Sequence, residues 1–403
     1  MNSLPMRGSD VRLQNEKLVL NLFYDSDAVS QAEIVAKTGL KPSTVLRIFS
    51  NLEQRGEIES VVLERTEADG KEKSNRVGRP SSYYRLCPNA HYVVGVSFLE
   101  DALYATVVNF TLHVIYRTTK PWVLPQTGEE LSVALTSFIN GAIKGSGVDE
   151  GRITGVGIGC PGIANAKDGV LNALYSRMGV VNYPLVEALS QTLPYKIFLQ
   201  TNEILNVQNV HRYGAACAYE RIVFLSLDKG LTLVSYNPRP NDALNSCTLL
   251  PIGRTYLSIE DGCAARTVDA ALSEDALVRE VASVTGISGV REIGRALECG
   301  NAVVGKLLEA RLPALHLSLL NAIALFLPDC VVLSSGSKAL SDYLVERLCG
   351  DMPAPEGCRP VWLGYESNPY YTSRSATDLV YDWFFHAGLP WTLPAKIPED
   401  RMV

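Results

Sequence analysis

From position 45 apolar residues recur at i, i+3, i+4 and i+7, so Val45, Ile48, Phe49 and Leu52 would line one face of a helix. Ser43, Thr44, Arg47 and Asn51 fall on the other face, and these are side chains that reach base edges and phosphates. Pro42 suits the first helical turn because its missing N–H costs nothing there, and Gly56 closes the run. Just upstream, Ser30 and Glu33 form an S-x-x-E capping box. A short helix then runs to about Lys37, and Gly39 supplies its left-handed end. Two short helices joined by a glycine turn, the second with a polar outer face, match a helix-turn-helix. A helical hairpin with a solvated face has the same pattern. An earlier helix over 10–24 would bury Leu18, Val19, Leu22 and Phe23.

The β-branched run at 58–63 and the segment 83–86 read as two strands around a long polar loop. Three helices and this hairpin make a winged helix. Its wing carries Lys71, Lys73, Arg76 and Arg79, with Gly78-Arg79-Pro80 similar to arms that lay an arginine in a minor groove. A plain interdomain linker is the competing reading of that tripeptide.

From about His91 the period changes to two. HYVVGVSF, ALYATVVNF and LHVIYRT are strands. A helix over 129–144 follows, then a strand over 153–159 ending in the loop Cys160-Pro161-Gly162. Next come a helix at 183–193, a strand at 197–200 and a helix at 202–213. A strand pair at 222–227 and 231–236 opens a second half, with helices through 273–326, a strand at 330–334 and a helix from 337. Strand triplets followed by alternating α and β predict an α/β protein of two similar lobes with ligand loops at the strand ends. The expected domains are 1–88 for the DNA-binding head, 89–200 for the first lobe and 201–403 for the second. A late helix at about 374–387 would return to the first lobe, and the aromatic run from Gly364 to Phe385 would serve its packing.

Composition narrows the picture. The 403 residues are 47% hydrophobic and 20% charged, as in a globular protein with room for several cores. Residues 1–90 hold 13 Lys and Arg against 12 Asp and Glu, so DNA contact must come from local placement of basic side chains. The nine cysteines show no C-x-x-C spacing, which argues for reduced thiols. The longest apolar region, 316–334, is broken by Asn321, Pro328 and Asp329, so no membrane insertion is expected. With no apolar signal segment, the expected location is cytoplasmic.

The winged helix ending in Gly78-Arg79-Pro80, then VVGVSF, then GVGIGCPGIANAKDG at 155–169 together resemble the ROK family of repressors and sugar kinases. NYPLVEAL at 182–189, TNEILN at 201–206 and LPDCVVLSSG at 327–336 follow in the family's order. The resemblance covers roughly 12–350. It implies an actin-like, ribonuclease-H-type two-lobed fold and, with the head attached, the family's transcriptional regulators, which include xylose-operon and N-acetylglucosamine repressors.

Departures from the family pattern shape the functional expectation. Where family kinases place Asp-x-Gly-Gly-Thr, whose glycines let the backbone approach phosphates, this chain has Ser97-Phe98-Leu99-Glu100. The second phosphate loop is Leu227-Asp228-Lys229-Gly230-Leu231, with a negative charge, and the third glycine cluster is Ser334-Ser335-Gly336-Ser337. The family's catalytic Asn-Asp pair is Asn202-Glu203, whose extra methylene shifts the carboxylate by roughly 1 Å. Its Glu-x-Gly-His is Pro251-Ile252-Gly253-Arg254, with Arg254 a candidate partner for Glu260 or Asp261. Its zinc cysteines reduce to Cys263, too few for a site.

The expected function is a DNA-binding regulator, a repressor, with a non-catalytic effector and dimerisation domain and neither metal nor cofactor. Its operator would be double-stranded DNA, contacted by Ser43, Thr44, Arg47, Asn51, Arg76 and Arg79. Its effector would be a sugar or sugar derivative held by Asn202, Glu203, Pro161 and Gly162. A homodimer or tetramer would follow from symmetric half-sites. An ATP-dependent sugar kinase that keeps a DNA head, and a regulator with no small-molecule ligand, stay open as alternatives.

Overall fold

The computed structural model describes residues 8–23, 26, 28–61, 82–174, 180–228, 230–238, 247–260, 263–350 and 359–386. The N-terminal head holds α1 (Gly8–Leu22), β1 (Val29–Ser30), α2 (Gln31–Thr38), α3 (Pro42–Gln54), β2 (Ile58–Val61) and β3 (Tyr83–Leu86). Its ends are written locally. Ser30 Oγ accepts the Glu33 N–H while Glu33 accepts the Ser30 N–H, closing the capping box, and Gly39 ends α2 at φ 68°. Val45, Ile48, Phe49 and Leu52 of α3 are all buried. Strand β3 pairs antiparallel with both β1 and β2.

The first lobe contains β4 (Tyr92–Phe98), β5 (Ala102–Asn109), β6 (Val114–Pro121), α4 (Gly128–Ser146), β7 (Ile153–Cys160), β8 (Gly162–Asn165), β9 (Val170–Leu174), β10 (Val181–Tyr183), α5 (Leu185–Ser190) and β11 (Lys196–Thr201). The second contains α6 (Asn202–Arg212), β12 (Ile222–Ser226), β13 (Thr232–Tyr236), β14 (Cys247–Leu250), β15 (Tyr256–Glu260), β16 (Cys263–Thr267), α7 (Val268–Leu272), α8 (Glu274–Thr285), α9 (Val290–Glu298), α10 (Ala302–Glu309), α11 (Leu312–Phe326), β17 (Cys330–Ser335), α12 (Lys338–Cys349) and β18 (Val361–Glu366). The chain ends its described part with α13 (Pro369–His386).

The two main sheets share one topology. Their orders are β11-β7-β4-β5-β6 and β14-β13-β12-β17-β18. In each, the first three strands in sequence run antiparallel and the last two lie parallel on the other side of the first. Such a repeat is the duplicated, mixed α/β architecture expected of an actin-like fold. Val94, Val96, Val156 and Ile158 pack with Leu135 and Ile139 of α4, while Val223, Leu225, Val331 and Leu333 pack with the α7–α12 layer. The opposite faces meet α13 on the first sheet and α6 on the second. Strands buried on both faces explain their near-continuous apolar reading.

Differences from the expected elements have local causes. The helix expected at 183–193 shrinks to α5, because Val181–Tyr183 pair with β9 and Pro184 sits at the N-cap. The expected loop at 160–162 is a one-residue break, since β8 starts at Gly162. The short strands β8–β10 and β14–β16 carry too few residues for a period to show.

Along β7 the glycines alternate. Gly155, Gly157 and Gly159 all face away from α4, and Gly95 of β4 lies beside them in register with Gly157. A Cβ on Gly157 would run into the Ala376 carbonyl of α13, and one on Gly95 into the Ser373 carbonyl. Backbone cannot yield as a flexible side chain does, so α13 sits where only glycine permits it. Gly157→Ala is expected to cost about 1–3 kcal/mol or more of stability in a denaturant titration. Gly141→Ala, on α4 with open space around the added methyl, should leave stability unchanged or raised.

Candidate functional site

The candidate ligand residues gather where the lobes meet. β11 runs parallel to β7 and ends at Thr201 opposite Cys160, which brings α6 to the Cys160-Pro161-Gly162 corner. The Ala164 N–H donates to Thr201 Oγ1 at 3.2 Å and fixes that corner. Asn202 and Glu203 open α6, and both are buried. The Asn202 amide is engaged inside the protein. Its Nδ2 donates to the Phe98 carbonyl at 3.2 Å, and its Oδ1 accepts from Ser97 Oγ at 3.2 Å. Asn202 therefore ties α6 to the end of β4.

Glu203 differs. Its Oε2 is buried with no hydrogen-bond partner among the described residues. Burial, then the nearby charge of Asp228, pushes its carboxyl up to about 8. A buried acceptor left unpaired costs about 1–3 kcal/mol, so this oxygen marks the place where a ligand hydroxyl would gain most. Pro161 is half-buried and Gly162 buried at the same corner.

Lobe 2 supplies carboxylates of its own. Asp228, in the loop after β12, accepts from Ser226 Oγ at 3.0 Å. Glu274 accepts the Gly336 N–H at 2.5 Å. Burial and Asp228 raise the Glu274 carboxyl to about 8. Sequence reading noted the charge of Asp228 but not Glu274, whose partner lies 62 positions away. Asp269 accepts the Leu231 N–H at 2.6 Å and feels the charge of Arg254. The side chain of Glu260 and all of Asp261, the expected partners of Arg254, lie outside the described residues, as does the side chain of Cys263. Among the described residues no group of three or more His, Cys, Asp and Glu is disposed to hold a metal. No described helix is long and apolar enough to cross a membrane.

On the head, Ser43, Arg47 and Asn51 are exposed on one face of α3, and Thr44 is half-buried beside them. Leu46 is 58% exposed on that side, a position sequence reading passed over because it falls off the buried stripe. Arg76 and Arg79 lie outside the described residues.

The duplicated mixed α/β topology is the fold of actin-like, sugar-kinase-like proteins. Residues 94–353 match the ROK family, and the chain belongs to it. One relative is the xylose repressor of Caldicellulosiruptor bescii, 24% identical over 217 residues, which are 54% of this chain and 52% of the relative. The chain thus matches about half the length of that curated relative. Among solved structures, a ROK family transcriptional regulator, homologous to the E. coli MLC protein, aligns over 93% of this chain and 98% of its own at TM-score 0.73 and 14% identity. A ROK family glucokinase from Streptomyces griseus, solved with glucose and AMPPNP, aligns over 72% and 98% at TM-score 0.57 and 16% identity. The structural likenesses establish the fold.

The raised Glu203 carboxyl makes a stability prediction. Its folded value lies above the unfolded one of 4.5, so the native state holds a proton that the unfolded chain releases. Stability should fall as pH rises from about 4.5 to about 8, and the penalty should stay in full above that. Glu203→Gln should flatten this dependence, raising the unfolding free energy relative to wild type more at pH 9 than at pH 5, by roughly 1 kcal/mol or more. Parallel pH profiles for both proteins would refute the assignment.

Proposed function

We propose that this chain is a DNA-binding transcriptional repressor whose two-lobed body senses a sugar or sugar derivative without turning it over. The observation that carries the reading is the division of α3. Val45, Ile48, Phe49 and Leu52 are buried, while Ser43, Arg47 and Asn51 share an exposed face. With α2 before it and the β2–β3 hairpin after it, α3 has the setting of the recognition helix of a winged helix-turn-helix. Ser43, Thr44, Arg47 and Asn51 would meet base edges and phosphates in the major groove. Arg76 and Arg79, between the hairpin strands in sequence, would reach the backbone or minor groove. The names of the repressor relative and of the regulator structure support the same role.

Residues 1–88 would serve as the head, 89–200 and 201–403 as the lobes with the late helix returning to the first, and two copies would set two heads across a pseudo-palindrome. Glu203 would take hydroxyl contacts in the cleft, with Asn202, Pro161 and Gly162 shaping its floor. Phosphoryl transfer is disfavoured by Leu99 and Glu100 in the first phosphate loop, Asp228 in the second, and glutamate in place of the catalytic aspartate. Ligand binding would reach the head through α13, which touches both. Lys17 of α1 donates to the Trp383 carbonyl at 3.2 Å, and Arg212 of α6 pairs with Asp382 at 2.5 Å.

The test is binding to DNA fragments from its own upstream region across a salt series. Wild type should bind one fragment specifically, with affinity falling as salt rises. Arg47→Ala should lose roughly ten-fold or more, given about 1–3 kcal/mol for a good base contact. Weak binding indifferent to both sequence and Arg47 would oppose the proposal.

A further inference from the structure

Three helices begin where the lobes meet: α6 at Asn202, α8 at Glu274 and α12 at Lys338. A helix start gathers unpaired N–H groups and the positive end of the helix dipole, so it draws an anion. Here the groups at two of those starts are acidic side chains of the chain itself. Glu203 is the second residue of α6, and its carboxyl feels the charge of Asp228. Glu274 is the first residue of α8. Its N–H donates to the Leu227 carbonyl at 2.8 Å, and Ser273 Oγ caps the helix by accepting the Ala276 N–H at 3.3 Å. That double anchor fixes where the side chain starts.

From there the Glu274 carboxylate crosses to the start of α12. Oε1 accepts the Gly336 N–H at 2.5 Å, and Oε2 lies 3.3 Å from where a Cβ on Gly336 would stand. The carboxylate therefore rests over the glycine, between the starts of two twelve-residue helices. Asp228 lies close enough for the two carboxyls to feel each other. An incoming phosphate would need the same Gly336 amide, would find the Glu274 side chain already seated on it, and would meet the Asp228 carboxyl beside it.

We infer that Glu274 is a specificity-determining residue: its carboxylate fills the backbone-amide seat at the start of α12 and closes the cleft to phosphate-bearing ligands. The effector is then an uncharged sugar rather than a sugar phosphate or a nucleotide. This deepens the proposed function and rests on reading the cleft as a ligand site without catalysis.

The probe is inorganic pyrophosphate, compared with sodium chloride at equal ionic strength, on wild type, Glu274→Ala and Glu274→Ser. Wild type should show no added thermal stabilisation. Both variants should gain it, with pyrophosphate binding at least ten-fold tighter by calorimetry. Pyrophosphate binding to wild type as tight as to the variants, or no gain in either variant, would overturn the inference. Should neither variant fold, amide exchange at Gly336 in wild type decides. Protection unchanged by pyrophosphate supports the inference, and protection induced by it overturns it. A hexose and ATP turnover assay on wild type keeps the two claims apart. Turnover would bring down the non-catalytic reading itself, whereas pyrophosphate binding without turnover would bring down the role of Glu274 alone.

Discussion

Everything in this molecule is arranged around the close approach of α13 to the glycine face of the first sheet. Gly95, Gly155, Gly157 and Gly159 present bare backbone, and the helix rests on it with its own carbonyls against two of the glycine Cα positions. Thr106 Oγ1 and Ser373 Oγ lie 2.7 Å apart, a hydrogen bond that pins the helix to β5. Packing this tight leaves no room to slide, so α13 is a fixed member of the first lobe although it comes from the far end of the chain. Interiors so dense transmit displacement rather than absorb it.

The other sides of α13 carry that rigidity outward. Toward the second lobe it meets α6 through a buried charged group. Asp378 accepts from Arg374 at 2.8 Å and from the Tyr213 hydroxyl at 2.8 Å, and Arg212 lies 3.5 Å from Asp378. Asn209 and Asn206 bond to Ser375 and Thr372 along the same seam. Two arginines balance two aspartates, so the group is tolerated as a set, and removing one member would strand the rest. Toward the head, Tyr381 and Phe385 share one apolar core with Phe49, Val19, Leu86 and Phe110. Among the described residues the head thus has no core separate from the first lobe. Glu57, bonded by His91 at 3.2 Å and by Arg55, closes the polar edge of that junction, and these bonds hold its carboxyl below the usual range against the opposing effect of burial.

How much of this shows in the sequence follows from distance along the chain. The turn between α2 and α3 was fully legible, because Ser30, Glu33, Gly39 and Pro42 each act within a few positions. The glycine run at 155–159 was legible as a family motif, but its reason was not, since the helix it receives begins more than 200 residues later. Asn202 and Glu203 were found by position, while their different states were not. Asn202 is consumed by Ser97 and Phe98, and Glu203 keeps an unpaired oxygen, which only the assembled cleft reveals. Glu274 left no local trace at all. A glutamate opening a helix is an ordinary cap, and its partner Gly336 comes from another strand end.

The claim on which the account turns is that α13 joins head and cleft into one mechanical unit. Hydrogen exchange on wild type and Arg212→Ala tests it most directly, because Arg212 lies on α6 and pairs with Asp378 and Asp382 of α13. The account predicts faster exchange spreading from α13 into α1, with β12 and β17 in the second lobe unchanged. Loosening confined to α6 and α13, with α1 exchanging as in wild type, would contradict it.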